Sequence, residues 1–225
     1  MLIINADDLG RSRAATDNTL ACHAVRRVTS TSAMVFMADS DRAAELALAA
    51  GIDVGLHLNL SESFTGHSIA PSLRQCHDRI RLFLRRSKYA LLVFNPTLRR
   101  EFRDAFTSQY AEFVRLYRRP PSHLDGHQHL HLASNILLQK ILPAGTKVRR
   151  SFSFREGEKS LPNRVYRGAV DRHLAKRHRL TDYFFALSQN CSPERVAKIV
   201  SLAQKFNVEL MAHPELPADQ RFLLS

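Results

Sequence analysis

The chain has 225 residues, 44% of them hydrophobic, and 33 Lys/Arg against 21 Asp/Glu give it a net charge of +12. That length suffices for one large domain, and no apolar run approaches the roughly 18 residues of a membrane-spanning helix. The first apolar run stops by Asn5, too early for a secretory signal. Cys22, Cys76 and Cys191 are odd in number and far apart, so a disulfide scaffold is excluded and a reduced, cytoplasmic protein is expected.

In chain order, apolar runs of strand length fall at 2–6, 32–36, 52–58, 147–152, 183–187 and 208–212. Helix-like stretches lie between them, at 12–27 and 40–50 for example. The clearest spans about 96–118, where Leu98, Phe102, Phe106, Tyr110, Phe113 and Tyr117 recur at spacings of three and four. Asn95-Pro96 opens it as cap and first turn, and Pro120-Pro121 closes it. Ser192-Pro193-Glu194 opens another that runs to about Phe206. Strands alternating with helices predict parallel βαβ units with right-handed connections. Two stretches break the rhythm. Residues 61–95 are too long for a simple loop and read as an inserted flap. Within it, 81–94 mixes cations with apolar residues, suited to a short packed helix or to a membrane surface. The second interruption, 153–180, is rich in Arg, Lys and His.

Charge is unevenly spread. Residues 74–119 hold 12 Lys/Arg and 4 Asp/Glu, and 147–179 hold 11 and 3; each segment is +8, leaving −4 for the rest of a +12 chain. Such a field suits an anionic partner: nucleic acid, an acidic polysaccharide, a phosphorylated carrier or a membrane met peripherally. Solvated surface charge would read the same way. No nucleic-acid-binding signature is present and the basic segments lack interleaved stacking aromatics, so no nucleic-acid partner is expected. A basic nucleic-acid-binding protein stays as the alternative of another class, and a homo-oligomer is open.

Ligand-type residues cluster at the C-terminal ends of the expected strands, the edge where catalytic groups gather in parallel α/β folds. Asp7 and Asp8 close the first run, His57 the third, and His213 the last. A lone Asp-Asp is more often a helix-capping turn, and a lone His57 a hydrogen-bonded core histidine. The segment 123–131 weighs against both, with four His and one Asp in nine residues, a set costly to bury without a purpose. One carboxylate and two imidazoles make a shell for a catalytic divalent metal, and Asp8, His57 and His127 would supply it from three strands. Alternation puts His123, Asp125 and His127 on one face, with His129 and His131 past the strand's end. Asp125 is placed to orient a ligand histidine, and His129 to touch a ligand or the substrate.

Taken together, Asn5-Ala6-Asp7-Asp8-Leu9-Gly10, Gly55-Leu56-His57-Leu58, the run from His123 to His131 and Met211-Ala212-His213-Pro214 resemble the four motifs of the YdjC-like carbohydrate deacetylases, a family that includes chitooligosaccharide and hopanoid-associated deacetylases. The match runs in order from residue 1 to about 215; Leu9 replaces the usual Phe. The resemblance implies an α/β fold, an irregular TIM-like (β/α) barrel with parallel strands in a single domain over 1–225. It also implies metal-dependent removal of acetyl from an N-acetylated amino sugar. By motif, the metal ligands fall on Asp8, His57 and His127 and the catalytic base on Asp7. His213 is a candidate acid for the leaving amine, or else a substrate contact. The resemblance implies Mg²⁺, whereas two imidazoles suit Zn²⁺. The basic segments favour an anionic or carrier-linked saccharide. A hydrolase of another bond, such as a phosphoester, fits the same Asp/His set.

Overall fold

Six strands alternate with helices in the computed structural model, which describes residues 1–67, 69–154 and 158–225. The strands are β1 (Leu2–Leu9), β2 (Ser30–Ala33), β3 (Asp53–Leu58), β4 (Leu124–Gly126), β5 (Tyr183–Ala186) and β6 (Val208–Ala212). The helices of eight or more residues are α1 (Arg13–Ala24), α2 (Ser40–Ala50), α3 (Pro71–Arg85), α4 (Arg99–Tyr117), α6 (Leu161–Ala175), α7 (Pro193–Ala203) and α8 (Pro217–Leu224), and α5 (Ser134–Leu137) is a single turn. Of the expected inserts, Ser68 in 61–95 and residues 155–157 in the second basic segment lie outside the described residues.

All neighbouring strands pair in parallel, in the order β4-β3-β2-β1-β6-β5. The two edge strands are joined by residues 146–153 instead of a seventh ladder. Leu124 N–H donates to Lys147 O, Arg149 N–H to Leu124 O, Val148 N–H to Arg179 O and Ser153 N–H to Phe184 O, all within 2.8–3.0 Å. The expected strand at 147–152 is thus reduced to isolated bridges. The cause is local: Ser151 N–H bonds the Asp171 carboxylate at 2.8 Å and so leaves the ladder. The sheet closes into an irregular barrel in one domain.

Period-two alternation separates two environments. Ala6, Ala33, Val54, Leu56, Leu124, Val208 and Leu210 point outward into one core shared with the helices. Asn5, Ser30, Ser32, His57, Asp125, Arg149 and Glu209 are buried in the barrel, which is therefore polar inside. Small residues let these side chains meet: a Cβ on Gly55 would lie 2.4 Å from His123 Nε2.

The stripe expected on 96–118 is buried in α4 at Phe102, Phe106, Phe113 and Tyr117, with Tyr110 half-buried. Asn95 Oδ1 accepts from Thr97 N–H as the cap. Left-handed Arg118 (φ 56°) ends the helix before the prolines. The strand expected at 32–36 instead spans Ser30–Ala33, because Phe36 turns the chain with a φ of 62°.

Two glycines test this packing in opposite directions. Gly55→Ala should lower stability by about 1–3 kcal/mol through overpacking against His123. Gly168, inside α6, has open space around its Cβ position, so Gly168→Ala should raise stability by up to about 1 kcal/mol. Urea midpoints moving the same way in both variants would contradict this account.

Candidate active site

Adjacent strand residues normally face opposite sides, yet Asp7 and Asp8 both reach the barrel's C-terminal mouth. A bulge is responsible. β1 pairs with β2 at Ala6↔Thr31 and next at Leu9↔Ala33, one extra residue on β1, and Asp8 takes a φ of 70°. Asp is among the few side chains that tolerate the left-handed region, and bulges of this kind re-aim a side chain. Gly10, at φ 81°, then turns the chain beneath Met34 O, only 3.0 Å from where a Cβ would sit.

Asp8, His57 and His127 meet there. His127 Nδ1 lies 2.8 Å and His57 Nε2 3.2 Å from Asp8 Oδ1, and one ligand atom from each residue falls within 4.8 Å of the others. Hydrogen bonds from His127 and His57 hold the Asp8 carboxyl well below the usual range, against the upward push of burial. His57 is oriented from behind: its Nδ1 lies 2.8 Å from Asp125 Oδ1. Burial opposes a charge on His57, but Asp125 and Asp7 outweigh it and raise the ring's pKa to about 10.

Asp7 faces the same space from a different network. Arg149 grips it with both terminal nitrogens, Nη1 to Oδ2 and Nη2 to Oδ1, each at 2.7 Å. Asn5 Nδ2 donates to Oδ1 at 2.9 Å. Arg149 also lies 2.7 Å from Asp125 Oδ2 and donates from Nε to Glu209 Oε1 at 2.6 Å. Burial would raise the Asp7 pKa, and the guanidinium reverses that and lowers it. Glu209 keeps the opposite balance, with burial raising it to about 7 despite Arg149. Ser32 Oγ completes the layer by donating to Asp125 Oδ2 at 2.7 Å.

The donor set fits a divalent cation. Asp7, His57 and Asp125 also lie close enough together to hold one, but the Asp7 and Asp125 oxygens already face the Arg149 charge. Among the described residues no Lys or Arg stands at hydrogen-bond distance from the Asp8–His57–His127 set, since Arg11 approaches Asp8 only to 3.6 Å. The carboxylate–histidine relay from Asp125 is the arrangement that aims a ligand nitrogen. Asp7, Asp8, Asp125 and Glu209 are all buried against one buried guanidinium, an excess of negative charge that a bound cation would offset.

Of the other expected residues, His129 has a left-handed backbone (φ 58°), and its ring packs on Phe152 and Phe184 with centroids 4.5 and 5.7 Å away. It stands beside the cluster instead of joining it, and burial pushes its pKa down to about 3. His213 leaves β6 next to β1, where Ala212 pairs with Ala6. Its backbone N–H donates to Asp219 Oδ2 at 2.9 Å, and it is half-buried and outside the Asp/His cluster.

Three charged residues escaped sequence reasoning. Arg149 sat inside a basic segment and Glu209 inside an apolar strand; in both, a charge at an inward position of an alternating run was the available signal. Glu62 gave none. It lies in the 61–95 segment, with Oε1 3.2 Å from His127 Nε2. Arg11 Nε and Nη2 donate to both its oxygens at 2.9 and 2.8 Å. Asn59 fixes that turn: its Oδ1 accepts from Glu62 N–H, and Gln109 of α4 bonds both its backbone N–H and its C=O.

Known proteins resemble the chain along most of its length. The family described as YdjC-like protein matches residues 1–223. A chitooligosaccharide deacetylase of Serratia marcescens is 29% identical over 229 residues, covering 95% of this chain and 81% of that protein. Another, from Yersinia pestis (strain Pestoides F), is 29% identical over 241 aligned residues, covering 100% and 85%. A solved structure from Enterococcus faecalis V583, provisionally described as a cellobiose-phosphate cleavage protein, shares the fold. Its TM-score is 0.65 at 20% identity, over 94% of this chain and 80% of that one.

Arg149 should be the costliest site residue to remove. Arg149→Met leaves three buried carboxylates without their cation and should destabilise the fold by about 3–5 kcal/mol. Arg149→Lys keeps the charge but loses the two-pronged grip on Asp7, so its urea midpoint should fall between the two. A lysine variant as stable as the native chain would show that charge alone suffices.

Proposed function

This chain belongs to the YdjC-like family, and we propose that it is a metal-dependent carbohydrate N-deacetylase that hydrolyses the acetamide of an N-acetylated amino sugar. The observation that carries this reading is the convergence of Asp8, His57 and His127 beside an independently held Asp7. The chitooligosaccharide deacetylases among its relatives support the bond and the substrate class.

Asp8, His57 and His127 would hold one divalent ion, Mg²⁺ by family resemblance or Zn²⁺ by the two imidazoles. When bound, such an ion lowers the pKa of a water and polarises the acetyl carbonyl. Asp7 takes the proton of the attacking water as general base. A carboxylate has about four lone-pair sites, and Arg149 with Asn5 occupies three, so Asp7 stays ionised and aimed while one acceptor position remains. Asp125 keeps His57 Nε2 turned toward the site by binding Nδ1. We assign to His213, at the exit of the strand beside β1, the protonation of the departing sugar nitrogen, and to His129 a contact with the substrate. The turn after β3 brings Glu62 to His127. Cys22, Cys76 and Cys191 are unpaired, which fits a reducing, cytoplasmic setting; no helix of the described residues is long and apolar enough to cross a membrane.

Acetate release from a panel of N-acetylated sugars, with chelator and with Mg²⁺ or Zn²⁺ restored, tests the activity. No acetate from any neutral, anionic or lipid-linked sugar with either metal would reject it. His57→Ala should lose both metal content and turnover while the circular dichroism spectrum is kept. Asp7→Asn should retain the metal and lose about 10²–10⁴ in kcat, the range for a missing general base; full turnover in that variant would remove Asp7 from the role.

A further inference from the structure

Residues 79–100 contain seven Lys/Arg and no Asp/Glu. The fold gives that run a definite surface. α3 turns its buried residues His77 and Ile80 inward, with Phe83 and Leu84 partly buried against the core. Residues 85–89 beyond are all exposed, and a short 3-10 turn, Ala90–Leu92, follows. Four large apolar side chains stand out within twelve residues: Leu82 is 66% exposed, Tyr89 60%, Leu92 42% and Val93 54%. Arg79 and Arg81 are paired with Glu101 and Asp78. Arg85, Arg86 and Lys88 have no carboxylate partner among the described residues, and Lys88 Nζ lies 5.1 Å from the Tyr89 ring centre.

This surface is rigidly mounted. Ser134 Oγ donates to Leu92 O at 2.8 Å, and Asn135 bonds both the N–H and the C=O of Asn95 at 2.8 Å. α4 begins just afterwards and connects two parallel strands, so it runs antiparallel to them. Its N-terminus, and the patch with it, therefore lies at the barrel end that carries Asp8, His57 and His127.

Single exposed apolar residues are ordinary, but four within twelve residues, interspersed with three cations that have no carboxylate partner among the described residues, are not. Three occupants compete. A nucleic acid would want stacking platforms, and among the four apolar residues only Tyr89 has a ring to offer. A second copy joined by two-fold symmetry would set the patch against itself, cation facing cation. Aliphatic side chains with flanking Arg and Lys match the boundary between acyl chains and anionic headgroups.

We propose that residues 82–93 dock this protein on anionic phospholipid bilayers. Leu82, Tyr89, Leu92 and Val93 enter the headgroup boundary, Arg85, Arg86 and Lys88 meet lipid phosphates, and the mouth of the site lies on the bilayer side. The docking is independent of the deacetylase reading, because it is measured without turnover. The full chain is floated with phosphatidylglycerol–phosphatidylethanolamine vesicles and with pure phosphatidylcholine vesicles, at low and high salt. Binding is expected to the anionic vesicles only and should weaken as salt rises. Arg85→Gln, Arg86→Gln and Lys88→Gln together should weaken it about a hundredfold, and Leu82→Asp with Leu92→Asp should abolish it; both variants alter only exposed positions and should keep the native spectrum. Equal binding to neutral vesicles, or full binding by either variant, overturns the proposal. So does a dimer in sedimentation that Leu82→Asp with Leu92→Asp dissociates, which would give the patch to a second copy.

Discussion

The interior of this barrel depends on one guanidinium. Arg149 lies within hydrogen-bond distance of Asp7, Asp125 and Glu209, and through Asp125 it reaches His57. Without a cation there, three carboxylates from three strands could not share so small a dry volume, since a buried ionised group needs a charge partner and hydrogen bonds. Arginine suits the position because its planar fork reaches several carboxylates at fixed angles, and its back rests on the Phe184 ring at 4.9 Å. The irregular stretch at 146–153 carries this clamp: Arg149 N–H still bonds Leu124 O, while Ser151 N–H, sent to Asp171, leaves the ladder.

From Arg149 the site divides by charge. The carboxylates it touches are neutralised from within the protein, while Asp8 with its two imidazoles is left facing the mouth. That division leaves two neighbouring aspartates in different settings, Asp7 in the guanidinium's grip and Asp8 among imidazoles, as the proposed base and the proposed ligand set require. The mouth is braced separately. Arg11 holds Glu62 and Glu215, with Nη1 to Glu215 Oε1 at 2.5 Å, so the loops after β1, β3 and β6 are tied across the opening. Asn59, fixed by Gln109 from α4, keeps the third-strand loop in register. Helix packing outside the sheet and ligand geometry inside it are thereby mechanically linked.

Much of this was legible in the sequence, for identifiable reasons. Outward positions of the strands are apolar and the helices carry apolar stripes, so β3, β5, β6 and α4 could be placed nearly to their ends, whereas β1 runs three residues past the expected 2–6, through Asp7 and Asp8. Ligand-type residues at strand exits pointed to Asp7, Asp8, His57 and His127 without coordinates. Less legible was whatever depended on the barrel's interior. Arg149 reads as one more arginine in a +8 segment, and only closure of the barrel turns it inward. Lys147 and Arg179 of that same segment line a cavity of about 380 Å³ at the N-terminal end with Ile3, Leu180 and Glu209, and Arg149 closes it from the barrel side. A basic stretch in sequence thus divides among a buried clamp, a far-end pocket and a solvent face, which no charge count separates.

The adjacency of Asp7 and Asp8 shows how a local backbone conflict becomes a site. An unbroken strand would bury one carboxylate with the barrel's polar layer and drive the other into the apolar shell around Ala6 and Leu9. The extra residue in β1 and the positive φ at Asp8 resolve that conflict, at a backbone strain on the order of 1–3 kcal/mol. Such strain persists only where the surroundings over-determine it. Here they do: His127 and His57 hold the Asp8 oxygen from one side, Arg149 and Asn5 hold Asp7 from the other, and Gly10 permits the turn that follows. Each of these contacts comes from a different element, β3, the turn after β4, the 146–153 segment and β1 itself. The fold therefore does not merely carry the two aspartates; it is what makes their side-by-side placement stable.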